Sequence, residues 1–220
     1  MALFFLIQIS LTTCLLILFV FVFTVIETLS LGLISSIIMS IFITYFLALI
    51  LLAILHKISR MLMKTKEGEI TGVGLILWTI QATALDIALT LTHKIIIHSP
   101  LPDFIYRLFG FKRRRGISIL TTLWDVDLLD IGENTMIGTG AIVSGHNIRN
   151  RKMYRKRVII GKNVTIGGHC IIAPGVNIGD NTIVAIGSTV PPNWVLNPNC
   201  LYGGVPVKKL KELDQKDVEY

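Results

Sequence analysis

Ile160-Gly-Lys-Asn-Val-Thr-Ile-Gly-Gly-His-Cys-Ile-Ile-Ala-Pro-Gly-Val-Asn-Ile-Gly-Asp-Asn181 is the stretch that decides the fold. Ile160, Ile166, Ile172 and Ile178 stand six residues apart. The register extends both ways, to Ile131, Ile137 and Val143 upstream and to Val184, Val190 and Leu196 downstream. A small residue usually follows: Gly132, Gly138, Ser144, Gly161, Gly167, Ala173, Gly179, Ala185. Slim residues recur three places later, at Thr135, Ala141, Val164, Cys170, Val176, Thr182 and Ser188. A fixed period of this kind has to be recognised before any helix or strand assignment. Three short strands joined by tight corners make a triangular coil of about 18 residues, and stacked coils bury one another's faces. The aliphatic points inward, the glycine is expected to permit the corner's backbone angles, and the slim residue fills the vertex. A sandwich would alternate with period two and turn every 8–12 residues, which this stretch does not do.

The register breaks once. Between Val143 and Ile160 lies one hexad plus an eleven-residue excursion, residues 149–159, and Arg149 to Arg157 holds six basic residues in nine. A stack of coils accommodates an insertion as a loop thrown outward, often on a binding face. Its charge predicts an exposed loop closing over a coenzyme or gripping an anionic acceptor, with Met153 and Tyr154 as its apolar tip.

Upstream the texture is membrane-like. Hydrophobic residues make up 52% of the 220, and Glu27 is the only charged side chain before Lys57. Roughly 20 apolar residues cross a hydrocarbon core, so Leu3–Ile26 and Leu31–Leu55 are expected to span as a hairpin, with no basic leader or cleavage site to suggest a signal peptide. The basic residues Lys57, Arg60, Lys64 and Lys66 place that flank and the N-terminus in the cytoplasm. Gly72–Ile97 is apolar but carries Gln81, Asp86, His93 and Lys94, with Trp78, Leu85, Leu89 and His93 at helical spacing. An interfacial helix, or one packed on the hairpin, is expected rather than a third span. Asp86 reads as part of a polar face meeting headgroups, with an intramembrane functional carboxylate as the other reading. Ser99-Pro100-Leu101-Pro102 breaks the helix at the junction to the repeats. The expected organisation is 1–56 transmembrane hairpin, 57–116 cytoplasmic linker with interfacial helix, 117–206 β-helix and 207–220 a C-terminal helical tail.

The remaining composition excludes several classes. Cys14, Cys170 and Cys200 make no CxxC pair or disulfide framework. The net charge of +7 is clustered beside a hydrophobic anchor, at residues 57–66, Lys112 to Arg115 and 149–157, which fits anionic lipid better than nucleic acid.

Val143-Ser-Gly-His-Asn147, the Ile160–Asn181 stretch and Tyr202-Gly-Gly-Val-Pro-Val-Lys-Lys-Leu210 resemble the hexapeptide-repeat acyltransferase superfamily, in particular its galactoside and maltose O-acetyltransferase branch. The resemblance covers about Leu123 to Leu213. Lys66-Glu-Gly-Glu69, Leu108-Phe-Gly-Phe111 and Leu123-Trp-Asp-Val-Asp-Leu-Leu-Asp-Ile-Gly132 are similar to membrane-linked acyltransferase-like regions of some peptide synthetases, including poly-lysine synthetase. The resemblance implies a left-handed β-helix, a homotrimer with active sites between subunits, acetyl-CoA as donor and His146 as the catalytic residue. It implies coenzyme contacts at Gly168, Ile186, Lys208 and Lys211. Membrane helices replace the branch's extra N-terminal segment, and Thr165 stands where Trp is common, so sugar specificity does not carry over.

The chemistry agrees with those residue types. Acyl transfer from a thioester needs a base for the acceptor's proton, and imidazole titrates near working pH. His146 stands immediately before the excursion. His169 occupies the same place in its own hexad with no loop after it, which points to lining the coenzyme or supporting the site from behind. Asp125 and Asp127, ahead of the repeats, are placed to orient His146 or the acceptor. Backbone N–H groups near Gly145 or Gly168 are alternative oxyanion donors. A γ-class carbonic anhydrase needs three histidines on zinc, and the repeats hold only His146 and His169, so no metal is expected. A non-catalytic membrane scaffold on the same fold is the other reading. The acceptor, a lipid-linked saccharide or a headgroup, follows from the membrane address alone, and O- and N-acylation stay open.

Overall fold

The computed structural model describes residues 2–29, 32–63, 67–93, 101–112, 114–150 and 152–214, without the side chains of 2–5, 93 and 101–103. The chain forms two units, one of residues 1–64 and 72–109, the other of 65–71 and 110–220.

The first unit is helical: α1 (Ala2–Glu27), α2 (Leu33–Leu62), α3 (Val73–His93) and α4 (Leu101–Leu108). Three of them, α1, α2 and α3, are long and apolar enough to cross a membrane. Helix α2 runs past the expected boundary at residue 56, because Lys57 and Arg60 are good helix formers and nothing breaks the helix before Met63. Helix α3 packs along α2. The Tyr45 and Thr92 hydroxyls hydrogen-bond at 3.0 Å, and His56 Nδ1 lies 3.3 Å from the Gln81 carbonyl oxygen. Gln81, Thr83 and Thr92 are buried. Of the polar residues expected on a face toward headgroups, Gln81 is buried against protein and Asp86 is half-buried. Helix α4 carries Ile105 and Tyr106 into the same packing, and Phe109 just beyond it sets its ring edge-on to His56 at 5.1 Å. Lys64, Lys66, Lys94, His98, Ser99, Pro100, Arg113 and Arg151 lie outside the described residues.

The second unit is a three-sided parallel β-helix. One face stacks Ser118–Ile119, Met136–Ile137, Thr165–Ile166, Ile183–Val184 and Cys200–Gly203. The second stacks Leu123–Trp124, Ile142–Ser144, Ile171–Ile172 and Thr189–Val190, and the third Leu129–Ile131, Val158–Ile160, Asn177–Ile178 and Val195–Leu196. Thr165 pairs with Ile183 and Ile183 with Leu201, the expected eighteen-residue step. All ten inward aliphatics are at most 2% exposed.

The glycines after them do something other than expected. Gly132, Gly138, Gly161, Gly167 and Gly179 do not adopt positive φ. A Cβ on Gly132 would stand 2.4 Å from the Gly161 carbonyl, so glycine is needed there for close stacking of coils. At one edge the left-handed corners fall to asparagines, Asn134, Asn163, Asn181 and Asn199, with φ of 53–55°, while at the other two they fall to Gly140, His169 and Gly187 and to Gly175 and Asn193. The amides of the first four form a ladder along their edge, each Nδ2 donating to the next Oδ1 at 2.9–3.3 Å. Asparagine tolerates this conformation better than most residues.

Two further expectations are corrected. The C-terminal tail is not helical where it is described: Lys208–Glu212 is a strand antiparallel to Cys200–Gly203, satisfying the backbone of the last coil's open edge. Residues 215–220 lie outside the described residues. The excursion is a β-hairpin, His146–Arg149 and Lys152–Arg155, not an outward loop. Gly68–Ile70 adds a third, antiparallel strand to it, with Gly68, Glu69 and Ile70 opposite Arg155, Tyr154 and Met153. The segment assigned to a linker thus divides: 67–70 belongs with the β-helix, α3 and α4 with the helices.

Candidate active site

The strand Leu123–Trp124 ends in Asp125, which takes a left-handed conformation (φ 54°) before the 3-10 turn Val126–Leu128. One coil on, Trp124 pairs with Ser144, which brings Gly145 over Asp125. A Cβ at Gly145 would sit 3.0 Å from Asp125 Cβ and 3.1 Å from Leu128 Cβ, a tight fit that glycine relieves. His146 follows, and its Nδ1 lies 2.5 Å from Asp125 Oδ2. The Asp125 side chain is 3% exposed and that of His146 is 18% exposed. Ser144 Oγ is 3.2 Å from Nδ1 and donates to the His146 carbonyl oxygen at 3.0 Å. The Trp124 ring meets the imidazole edge-on at 6.3 Å. A carboxylate at Nδ1 selects the tautomer with its proton there, leaving the Nε2 lone pair to act as base.

Asp127 is held by a basic side chain. It accepts a hydrogen bond from Arg155 Nη2 at 2.8 Å, and the same nitrogen is 3.5 Å from Asp125 Oδ1. Arg155 is 1% exposed, so a basic residue expected on an exposed loop is buried beneath the site. Met153 is also buried, which rules out an apolar tip there. Strand alternation explains both, since Met153 and Arg155 share the inward face of Lys152–Arg155. Two of the other charges, Lys152 and Arg157, pair with the segment of the added strand. Glu69 accepts from Lys152 and Tyr154, holding the Lys152 ammonium above its ordinary pKa, and Glu67 takes Arg157. Lys156 donates to Asn193 Oδ1 at 2.7 Å. Arg149 has no ion-pair partner among the described residues.

The hairpin and the coil corners at Pro174 and Pro192 enclose a cavity of about 720 Å³, which Asn147, Arg149, Tyr154 and Lys156 also line. It lies at the edge between the second and third faces, where His146 stands.

The residues matched to coenzyme contact occupy another edge. Gly168 and His169 lie between the first and second faces, with His169 at φ 55° and its ring over Gly140. Ile186 stacks on Gly168 one coil further and is 74% exposed. Lys208 pairs with Gly203 at the end of the last strand nearest that edge, while Lys211 lies opposite Leu201, further along the face. Asp125 and His146 are thus brought together, and His169, Gly168, Ile186 and Lys208 form a separate group. Among the described residues no three His, Cys, Asp or Glu side chains are grouped to hold a metal ion.

By sequence, Ser144, Trp124, Glu67 and Glu69 carry no functional role, and Arg155 falls on the exposed loop rather than in the buried position it holds. The alternation in 152–155 and the acidic pair facing a basic run were the available signals.

The repeat register matches the family described as "Hexapeptide repeat of succinyl-transferase" over residues 157–191. The galactoside O-acetyltransferase of Escherichia coli (strain K12) is 36% identical over 106 residues, 45% of this chain and 51% of that protein. The chain spans about half the length of this curated relative. A maltose O-acetyltransferase structure from Clostridium difficile 630 is similar at a TM-score of 0.51 and 22% identity, covering 63% of this chain and 89% of that one. A galactoside acetyltransferase in complex with coenzyme A is similar over 59% of this chain and 83% of that one, at 22% identity and a TM-score of 0.42. The fold shared with the maltose enzyme is the left-handed form of the β-helix. Over its repeats the chain is thus similar to the hexapeptide-repeat acetyltransferases, in its family-model match, its curated relative and its fold.

Proposed function

We propose that the protein is a membrane-anchored acyltransferase that moves an acetyl group from acetyl-CoA to a hydroxyl or amine of a membrane-associated acceptor, a lipid-linked saccharide or headgroup. The observation that carries this reading is the Asp125–His146 pair at the foot of the hairpin, on a hexapeptide-repeat domain. His146 Nε2 takes the acceptor's proton as its oxygen or nitrogen attacks the thioester carbonyl. The C–S bond then breaks, and the departing thiolate receives that proton from the imidazolium. The Asp125 carboxylate holds the ring and stabilises the charge that develops on it. A positioned base of this kind contributes roughly 10²–10⁴-fold.

The donor reading rests on the resemblance, with Gly168, Ile186, Lys208 and Lys211 as its contacts. Three of these lie at a different edge of the β-helix from His146. That separation supports a homotrimer in which the coenzyme edge of one subunit meets the His146 edge of the next. The three apolar helices and the basic flank Lys57–Arg60 support a cell-membrane protein with its catalytic domain in the cytoplasm.

The test is incubation of detergent-solubilised protein with isotopically labelled acetyl-CoA and lipid extract, read by mass spectrometry. A labelled lipid product, absent with His146→Ala, is the expected result. Failure to bind any acyl-CoA would favour a non-catalytic scaffold instead.

A further inference from the structure

Three helices are long and apolar enough to cross a bilayer, and three crossings would put the two ends of α3 on opposite sides. The strand order does not permit that. Gly68–Ile70 precedes α3, the hairpin strand Lys152–Arg155 follows it, and the two are hydrogen-bonded neighbours in one sheet. A sheet cannot form across a membrane from strands on opposite sides, since every unpaired backbone group in the hydrocarbon costs several kcal/mol. The chain before α3 and the hairpin strand Lys152–Arg155 must therefore lie in one compartment. Helix α4, the only helix between α3 and the β-helix among the described residues, has eight residues and is about 12 Å long at 1.5 Å per residue. It is too short to recross a hydrocarbon core of about 30 Å.

The helical unit independently points the same way. Helix α3 runs antiparallel to α2, with Gln81 at the level of His56 and Thr92 at the level of Tyr45. Eleven residues separate each pair along its helix, about 16 Å. Tyr45 is twelve residues, about 18 Å, from the far end of α2 at Leu33. The last turn of α3 thus stops near the middle of the span. By Phe109 the chain is back at His56, the level at which Gln81 stood.

We propose that α3 and α4 form a membrane-inserted hairpin that enters from the side of Lys57 and Arg60, reaches about half the bilayer depth, and returns to the same side. The chain then crosses twice, through α1 and α2, and the His146 domain shares a compartment with that basic flank. This rests on the reading of α1 and α2 as spans. It also accounts for the polar load of α3. Thr83, Asp86 and Thr92 belong to a helix that packs on α2 and never has to reach the opposite headgroups.

The experiment is cysteine mapping in the full chain with Cys14, Cys170 and Cys200 replaced by Ser. Single cysteines at Thr28, Thr71 and Lys112 are challenged with a membrane-impermeant maleimide in right-side-out and inside-out vesicles. Thr71→Cys and Lys112→Cys are expected to label in the same vesicle orientation and Thr28→Cys in the other. Labelling of Thr71→Cys and Lys112→Cys from opposite sides would overturn the proposal while leaving the anchor intact. All three on one side would overturn the anchor itself. Depth is read from a bimane fluorophore on Thr90→Cys, quenched by lipids brominated at defined chain positions. Strongest quenching by deep bromines is expected, and quenching only near the headgroups would make α3 a surface helix and refute insertion.

Discussion

Replacing Arg155 by Met removes a guanidinium that is 1% exposed and stands between two carboxylates, Asp127 at 2.8 Å and Asp125 at 3.5 Å. Those carboxylates are themselves only 3–4% exposed. Breaking a buried ion pair from one side leaves an uncompensated charge and costs about 3–5 kcal/mol. Against a total stability of about 5–15 kcal/mol for a domain, that is a large fraction. At roughly 4–8 °C per kcal/mol for a domain near one hundred residues, the melting point should fall on the order of 15–30 °C. The charge-free triple variant Asp125→Asn, Asp127→Asn, Arg155→Met leaves no buried ion and should regain most of that stability. It should not regain turnover, because the carboxylate at His146 Nδ1 is gone. Thermal unfolding in detergent, followed by tryptophan fluorescence, measures the first quantity, and coenzyme release in the presence of acceptor measures the second. A single Arg155→Met variant melting within about 2 °C of the parent would refute the buried-charge argument. A triple variant with near-normal turnover would refute the orienting role given to Asp125.

Other outcomes follow from the same geometry. His146→Ala should lower turnover by roughly 10²–10⁴-fold with acyl-CoA affinity within a few-fold, and His169→Ala should cost less, chiefly in KM for the coenzyme. If His169→Ala were inactive and His146→Ala near normal by the same kinetics, the two roles would be exchanged. Gly132→Ala drives a Cβ to 2.4 Å from the Gly161 carbonyl, backbone against backbone. It should cost at least the about 1–3 kcal/mol of ordinary overpacking, visible as a melting point roughly 10 °C lower or more. Cys170 is fully buried, and that desolvation pushes its thiol pKa up. It should resist iodoacetamide in the native protein at pH 8 and react on unfolding, as peptide mass mapping would record.

The hexapeptide register was readable because it is a local repeat. Each inward aliphatic answers to the same neighbours six residues before and after, so position in the chain and position in the prism are the same information. His146 was legible through its place before the break in that register, and the apolar spans through length alone. The role of the repeat glycines was not legible, since a glycine kept for close stacking reads in one dimension like a glycine kept for its backbone angles. Only the packed coils distinguish them: Gly132 and Gly161 serve close stacking, Gly140, Gly175 and Gly187 take the left-handed angles, and along one edge the asparagine ladder takes them.

The hairpin marks the other boundary. By sequence, residues 149–157 are a run of positive charge, and a run of charge reads as solvated surface. Burial of Arg155 depends on Asp125 and Asp127 from the turn below, and pairing of Lys152 and Arg157 depends on Glu69 and Glu67 from a segment more than eighty residues earlier. None of these partners is periodic with the residue it serves. Tertiary structure alone decided which basic residues are counter-charges, that the tail is a strand, and which of the roles open to Asp125 it takes, standing against His146. Long-range pairing of backbone edges and charges leaves no local pattern, whereas a stacked repeat is local pattern throughout.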